Sequence, residues 1–172
     1  MVDTEKREMT DAEQKAEYQK ILKLLEGQEE TLQFKEFTNE MALEIGLNIL
    51  AQVKQENQVV SIDITRSGQQ LFHYAMAGTT PDNDQWIIRK MRVVNRFQKS
   101  SYHIATLLKN SGQTLEQKYH VSSAEFASSG GSFPIIIKNV GVVGTITVSG
   151  LPNDGDHALV VKVIREFLRR NS

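Results

Sequence analysis

The sequence predicts an α+β sandwich: one central antiparallel sheet of about five strands with helices on both faces. Three observations carry this expectation. Two pairs of β-rich runs are each joined by a short turn, which makes hairpins and therefore antiparallel pairing. Helical periodicities lie before, between and after those hairpins. The chain has 172 residues, 40% hydrophobic and 24% charged, which suits one core with solvated faces.

The elements follow in order. The first dozen residues read as a charged, solvated lead. Residues 11–26 space Ala12, Ala16, Ile21, Leu24 and Leu25 as a moderately amphipathic helix. Residues 31–37 alternate and predict a short strand. Thr38 or Asn39 caps a helix running to about Gln55. Its apolar positions include Met41, Ala42, Ile45, Ile49 and Val53, but also Leu43, Leu47 and Leu50. Such a helix should be buried on more than one side. Residues 58–65 and 69–77 form a hairpin around Arg66-Ser67-Gly68. The loop 79–84 has helix-start chemistry, and a helix follows to about Lys99. A further helix begins at Ser100 or Ser101, and Gly112 breaks it. Residues 114–119 are weakly helical. A second hairpin joins 133–138 to 142–149, and a helix with Val160, Val161, Ile164, Phe167 and Leu168 on one face closes the chain. Residues 1–30 thus make a charged lead and helix, and 31–172 a single domain.

Composition excludes several classes. The net charge of −1 gives no general pull toward nucleic acid or an anionic membrane. With no cysteine, disulfides, thiolate catalysis and cysteine zinc sites are ruled out. No apolar run approaches the roughly 20 residues that span a bilayer, and a cytoplasmic setting is the expectation. No metal site is predicted, since none of the four histidines stands at ligand spacing.

The residues that could carry chemistry fall in three places. On the helix after Asp84, a period of 3.6 puts Arg89, Arg92, Arg96 and Lys99 along one side and Trp86, Val93, Val94 and Phe97 along the other, with Lys90 near the middle of the apolar side. Lys90 either snorkels to solvent or meets carboxylates of a ligand or another subunit. Asp156 and His157 open the last helix, where the positive dipole end disfavours an imidazolium; His157 is a cap, a proton acceptor or a ligand there. Gly130-Gly131-Ser132 either nests an anion on its amides or marks a tight entry into a strand. His73 reads as a sheet histidine. No Gly-x-Ser-x-Gly elbow exists, and no serine triad can be assigned.

The runs Gly130-Gly131-Ser132-Phe133-Pro134-Ile135, Gly141…Gly144-Thr145-Ile146…Val148-Ser149-Gly150-Leu151-Pro152 and Asp156-His157-Ala158-Leu159-Val160-Val161 resemble the GlcG/HbpS-like, or haem-degrading domain, family. Residues 82–90 and 97–101 are similar to a single-domain branch of bacteria and fungi. The resemblance spans about residues 32–168. It implies the profilin-like sandwich, homo-oligomers that are often dimers assembling further, and haem or cobalamin-related ligands in some members. His73, His103, Met76 and Tyr102 are the axial ligand types present.

The expected function is therefore an oligomeric protein that binds a small anionic ligand, haem being one candidate. The candidate binding residues are Trp86, Arg89, Lys90, Ser101, Gly130, Gly131, Asp156 and His157. Two alternatives stand beside it. One is an enzyme with Lys90, Ser101, Asp156 and His157 gathered round the glycine loop. The other is an interaction module with Trp86, the arginines and residues 149–152 as subunit contacts. In each reading the site lies where the glycine loop, the start of the Trp86 helix and Asp156-His157 meet.

Overall fold

The structure is a computed structural model that describes residues 9–152 and 154–172; most of the predicted N-terminal lead lies outside the described residues. Its elements are α1 (Asp11–Thr31), α2 (Asn39–Gln55), β1 (Ser61–Arg66), β2 (Gln69–Ala75), α3 (Pro81–Phe97), α4 (Ser101–Ser111), α5 (Leu115–Tyr119), β3 (Ser132–Ile137), β4 (Gly141–Ser149) and α6 (Asp154–Arg170). The strands form one antiparallel sheet in the order β2-β1-β4-β3. The two hairpins are joined through their β1 and β4 members, which pair in the middle of the sheet. Both turns use left-handed residues: Ser67 and Gly68 in the first, Asn139 and Gly141 in the second.

The sheet has four strands, not about five. Residues 32–38 make only a single parallel bridge, Phe34 to Ile137. The reason lies in the side chains. Phe34 and Phe37 are both buried and meet edge to face with ring centres 5.0 Å apart. Residues three apart lie on opposite faces of a strand, so burying both in one core breaks the extended ladder.

The two faces of the sheet differ in chemistry. Ile62, Ile64, Phe133, Ile135, Ile146 and Val148 face α2 and α6 and merge with Ile45, Ile49, Val53, Val160, Ile164 and Phe167 into the main core. The alternate residues Ser61, Asp63, Ser132, Thr145, Thr147 and Ser149 are equally buried but face the side on which α3 packs. Beyond that polar layer, Val93, Ile104, Leu108, Leu115 and Val121 form a second, smaller core among α3, α4 and α5. A polar seam therefore separates two apolar cores. Within it the Ser132 and Thr147 hydroxyls, side by side on β3 and β4, bond at 2.7 Å, while the Ser61 and Thr145 hydroxyls have no partner among the described residues.

Three helices depart from their sequence expectations. α1 continues past Gly27 to Thr31 and buries Leu22, Leu25 and Glu29, whereas Ala12, Ala16 and Leu24 are exposed. Its last turn is held by contacts to α4, described below. α3 starts at Pro81, earlier than expected, because Asn83 Oδ1 accepts the Thr80 N–H at 2.9 Å and proline suits the first helical position. α2 is buried on one side only: Leu43 and Leu47 are 45% and 50% exposed.

Candidate functional site

Lys90 neither snorkels nor reaches outward. It is 3% exposed, and its Nζ donates to Asp156 Oδ2 at 2.9 Å and to the Val148 carbonyl at 3.1 Å. The carboxylate it meets belongs to its own chain. α3 carries Lys90 onto the polar face of the sheet, and α6 presents Asp156 from its first turn. Asp156 also gathers the loop between β4 and α6, accepting the Leu151 N–H at 2.8 Å and the Gly150 N–H at 3.4 Å. Burial pushes the Lys90 pKa down and that of Asp156 up, and in each case the partner only partly offsets it. The pair thus costs desolvation on both sides.

Gly131 explains itself against this pair. Its φ is +129°, and a Cβ there would lie 2.5 Å from the Val148 carbonyl oxygen, 2.8 Å from Lys90 Nζ and 2.9 Å from Asp156 Cβ. A side chain cannot coexist with the ion pair. Gly130, also buried, precedes it in the bend that enters β3. The glycine loop is the wall of a polar junction.

A second polar cluster ties α1 to α4 and α6. Glu29 accepts from His103 Nδ1 at 3.0 Å and from the Ser100 N–H at 2.8 Å, and Lys99 Nζ stands 3.5 Å away. Burial pushes the Glu29 pKa up, but these partners outweigh it and hold the carboxyl below its ordinary value. His157 Nε2 donates to Gln28 Oε1 at 2.8 Å, while its Nδ1 is buried without a partner among the described residues. Tyr102 and Phe133 pack on its ring. Burial lowers the His157 pKa to about 4, so the imidazole is neutral. That state matches the expectation from the helix dipole, but the cause is burial, and among the described residues the ring's hydrogen bond goes to Gln28. Ser101 Oγ accepts the Ser132 N–H at 3.0 Å.

Two hollows open beside these clusters. The smaller, about 290 Å³, is lined by Asp82, Asn83, Trp86, Lys90, Ser149 and Asp156 among others. The larger, about 540 Å³, lies between α3 and α4–α5 and is lined by Trp86, Arg89, Leu108, Lys109, Leu115 and Phe126 among others. Both share Trp86 and Ser129. Trp86 is 37% exposed rather than on the core side, and Arg89 stacks on its ring, 4.2 Å from the centre. Arg92 is spent on the Glu125 carbonyl, and Arg96 lies near the Phe97 and Phe126 rings.

The structure therefore brings Trp86, Lys90 and Asp156 to one hollow, with Gly131 behind them and Arg89 alongside. Ser101 and His157 do not join them, so the four residues of the enzyme reading do not converge. Gln28 and Glu29 were missed by the sequence reading. Their signal was available: Glu29 stands four residues after Leu25, on the stripe that α1 buries. Among the described residues no group of three or more acidic or histidine side chains is placed to hold a metal, and no helix is long and apolar enough to cross a membrane.

Comparison with known proteins agrees with this architecture. The UPF0303 protein SCO2848 of Streptomyces coelicolor is 44% identical over 144 residues, covering 84% of this chain and 91% of that protein. The crystal structure of the Ybr137w protein matches with a TM-score of 0.81 and 32% identity, covering 87% of this chain and 88% of that one. The crystal structure of a PduOC–haem complex matches with a TM-score of 0.64 and 12% identity over 75% and 93% of the two chains, which shows a shared fold. Residues 37–165 match the model of the haem-degrading protein HbpS-like family. The chain belongs to the HbpS-like family.

Proposed function

We propose that this protein binds a flat, carboxylate-bearing amphiphile of the tetrapyrrole class, haem being the leading candidate, and that it does so as a cytoplasmic homo-oligomer. The observation that carries the reading is the larger hollow. Its volume of about 540 Å³ falls in the range of small-molecule sites. Leu108, Leu115 and Phe126 supply an apolar wall, while Arg89 and Lys109 stand where carboxylates need cations. The haem complex formed by a protein of the same fold supports the ligand class.

The fit to haem is selective. The hollows offer apolar surface for a macrocycle and cations for its propionates. Among the described residues neither is lined by a histidine, methionine or tyrosine. The axial ligand types lie elsewhere: His103 is buried against Glu29, Met76 packs on the main core, Tyr102 stacks on His157, and His73 pairs with Asp84 at 3.0 Å on the surface. Among the described residues no common axial ligand type faces the iron in this site, so binding should not depend on the metal.

Trp86 is the only tryptophan, and it borders both hollows, so its fluorescence reports occupancy. Haemin and metal-free protoporphyrin IX should both quench it, with dissociation constants within about threefold of each other. Arg89→Ala should weaken both by about tenfold, the loss of one charge-assisted contact of about 1.4 kcal/mol. Absence of quenching by either porphyrin would refute the reading. So would haemin binding that protoporphyrin does not share and that His73→Ala abolishes.

A further inference from the structure

We propose that the outer face of α2 is a self-complementary docking surface for a second copy of this chain, the two helices lying antiparallel across a two-fold axis at Leu47. The proposal deepens the homo-oligomer part of the reading above by naming its surface.

The α2 sequence carries more apolar positions than one core can use. Ala42, Ile45, Gly46, Ile49 and Val53 are buried inward. Leu43 and Leu47 are left 45% and 50% exposed, with Ala51 exposed and Leu50 half-buried beside them. At 100° per residue these four fall on one stripe. The stripe does not end at the helix. The Phe72 ring of β2 sits on Gly46, where a Cβ would be 2.5 Å from the ring. Gly46 neighbours Leu43 and Leu50 on the helix surface. Half-exposed Tyr74 lies two residues beyond Phe72, on the same face of β2, whose outer edge pairs with no strand among the described residues. The apolar surface thus runs from α2 onto the sheet edge, an area wider than one helix stripe.

Charge selects the occupant. Glu40 and Lys54 stand at the two ends of the stripe, each seven residues from Leu47, and both are exposed. Neither has a counter-charge among the described residues. Leu43 and Ala51 each lie four residues from Leu47. An antiparallel second copy centred on Leu47 therefore sets Leu47 on Leu47, Leu43 against Ala51, and Glu40 against Lys54 at both ends. A parallel copy would set Glu40 on Glu40 and Lys54 on Lys54. Such a surface, complementary to itself under a two-fold rotation, is the signature of an isologous contact.

The chain contains no cysteine, so introduced thiols report the geometry directly. Wild type should scatter light as an even multiple of the monomer at about 100 µM, and Leu47→Glu should halve that mass with its far-UV circular dichroism unchanged. Under mild oxidation Leu47→Cys should cross-link to a covalent dimer. Glu40→Cys alone should not, because antiparallel packing holds the two thiols about 20 Å apart along the axis, whereas Glu40→Cys combined with Lys54→Cys should. A monomeric wild type overturns the proposal. So does an unchanged mass in Leu47→Glu, or cross-linking of Glu40→Cys alone as efficient as that of Leu47→Cys. The porphyrin titration reads Trp86 and not α2, so failure of ligand binding and failure of this pairing are separate results.

Discussion

Replacing Lys90 by methionine would keep the volume of the side chain and remove its charge from the seam. Asp156 would retain the Leu151 N–H at 2.8 Å and the weaker Gly150 N–H, but its carboxylate would be buried with no cation. The Val148 carbonyl would lose its Lys90 donor as well. Breaking a buried pair by removing one partner costs about 3–5 kcal/mol, which in a domain of this size lowers the melting temperature by about 10 °C or more. Asp156→Asn should cost a similar amount, because it leaves the ammonium buried at 3% exposure. The double variant Lys90→Met with Asp156→Asn removes both charges, while the asparagine oxygen can still accept the Leu151 amide. It should cost less than about 3 kcal/mol, giving a coupling of at least about 3 kcal/mol. Urea unfolding followed by far-UV circular dichroism measures all four corners of the cycle. If either single variant loses less than about 1 kcal/mol, or if the two losses add without coupling, the ion pair is not what joins α3 to α6.

Two further outcomes follow from the buried groups. His157 has a folded pKa of about 4 against about 6.5 in the unfolded chain. Its contribution is complete above pH 6.5 and is lost as the pH falls toward 4, because only the unfolded state takes up the proton in that window; the loss is about 3 kcal/mol. Unfolding free energies at pH 7.5 and 4.5 should differ by about that much more in wild type than in His157→Gln, and equal pH slopes would count against the buried neutral imidazole. Gly131→Ala should destabilise by about 2–4 kcal/mol through a disfavoured φ and overlap with Lys90 and the Val148 carbonyl. Gly68→Ala, at a positive φ but in open space, is the control and should lose only about 1 kcal/mol; equal losses at the two positions would show that the crowding is relieved elsewhere.

Much of the fold was legible because it is written in short-range signals. The hairpins were readable from alternation and turn glycines, α2 from Thr38 and its apolar period, and the last helix from its single stripe. The fifth strand failed for a long-range reason: Phe34 and Phe37 obey the core they fill, not the alternation of their own segment. α1 runs five residues beyond its local signal, since its last turn is stabilised by His103 and Ser100, more than 70 residues away, and of its predicted apolar stripe Leu25 is buried while Ala12, Ala16 and Leu24 are exposed. The site was half legible. Lys90 stood out as a charge on an apolar helix face and Asp156 as an acid at a helix start, but nothing local says that the two residues meet.

By itself, the sequence determined the class of fold, its hairpins and the absence of thiol chemistry. Periodicity, turn residues and composition act over a few residues and can be read along the chain. Only the tertiary structure decided that Lys90 closes on Asp156, that the His157 ring of α6 bonds to Gln28 of α1 instead of lining the hollow, and that α2 leaves Leu43 and Leu47 uncovered. Each of these depends on which elements pack together and on how far burial penalises a charge. Those quantities exist only once distant segments share a dry interior.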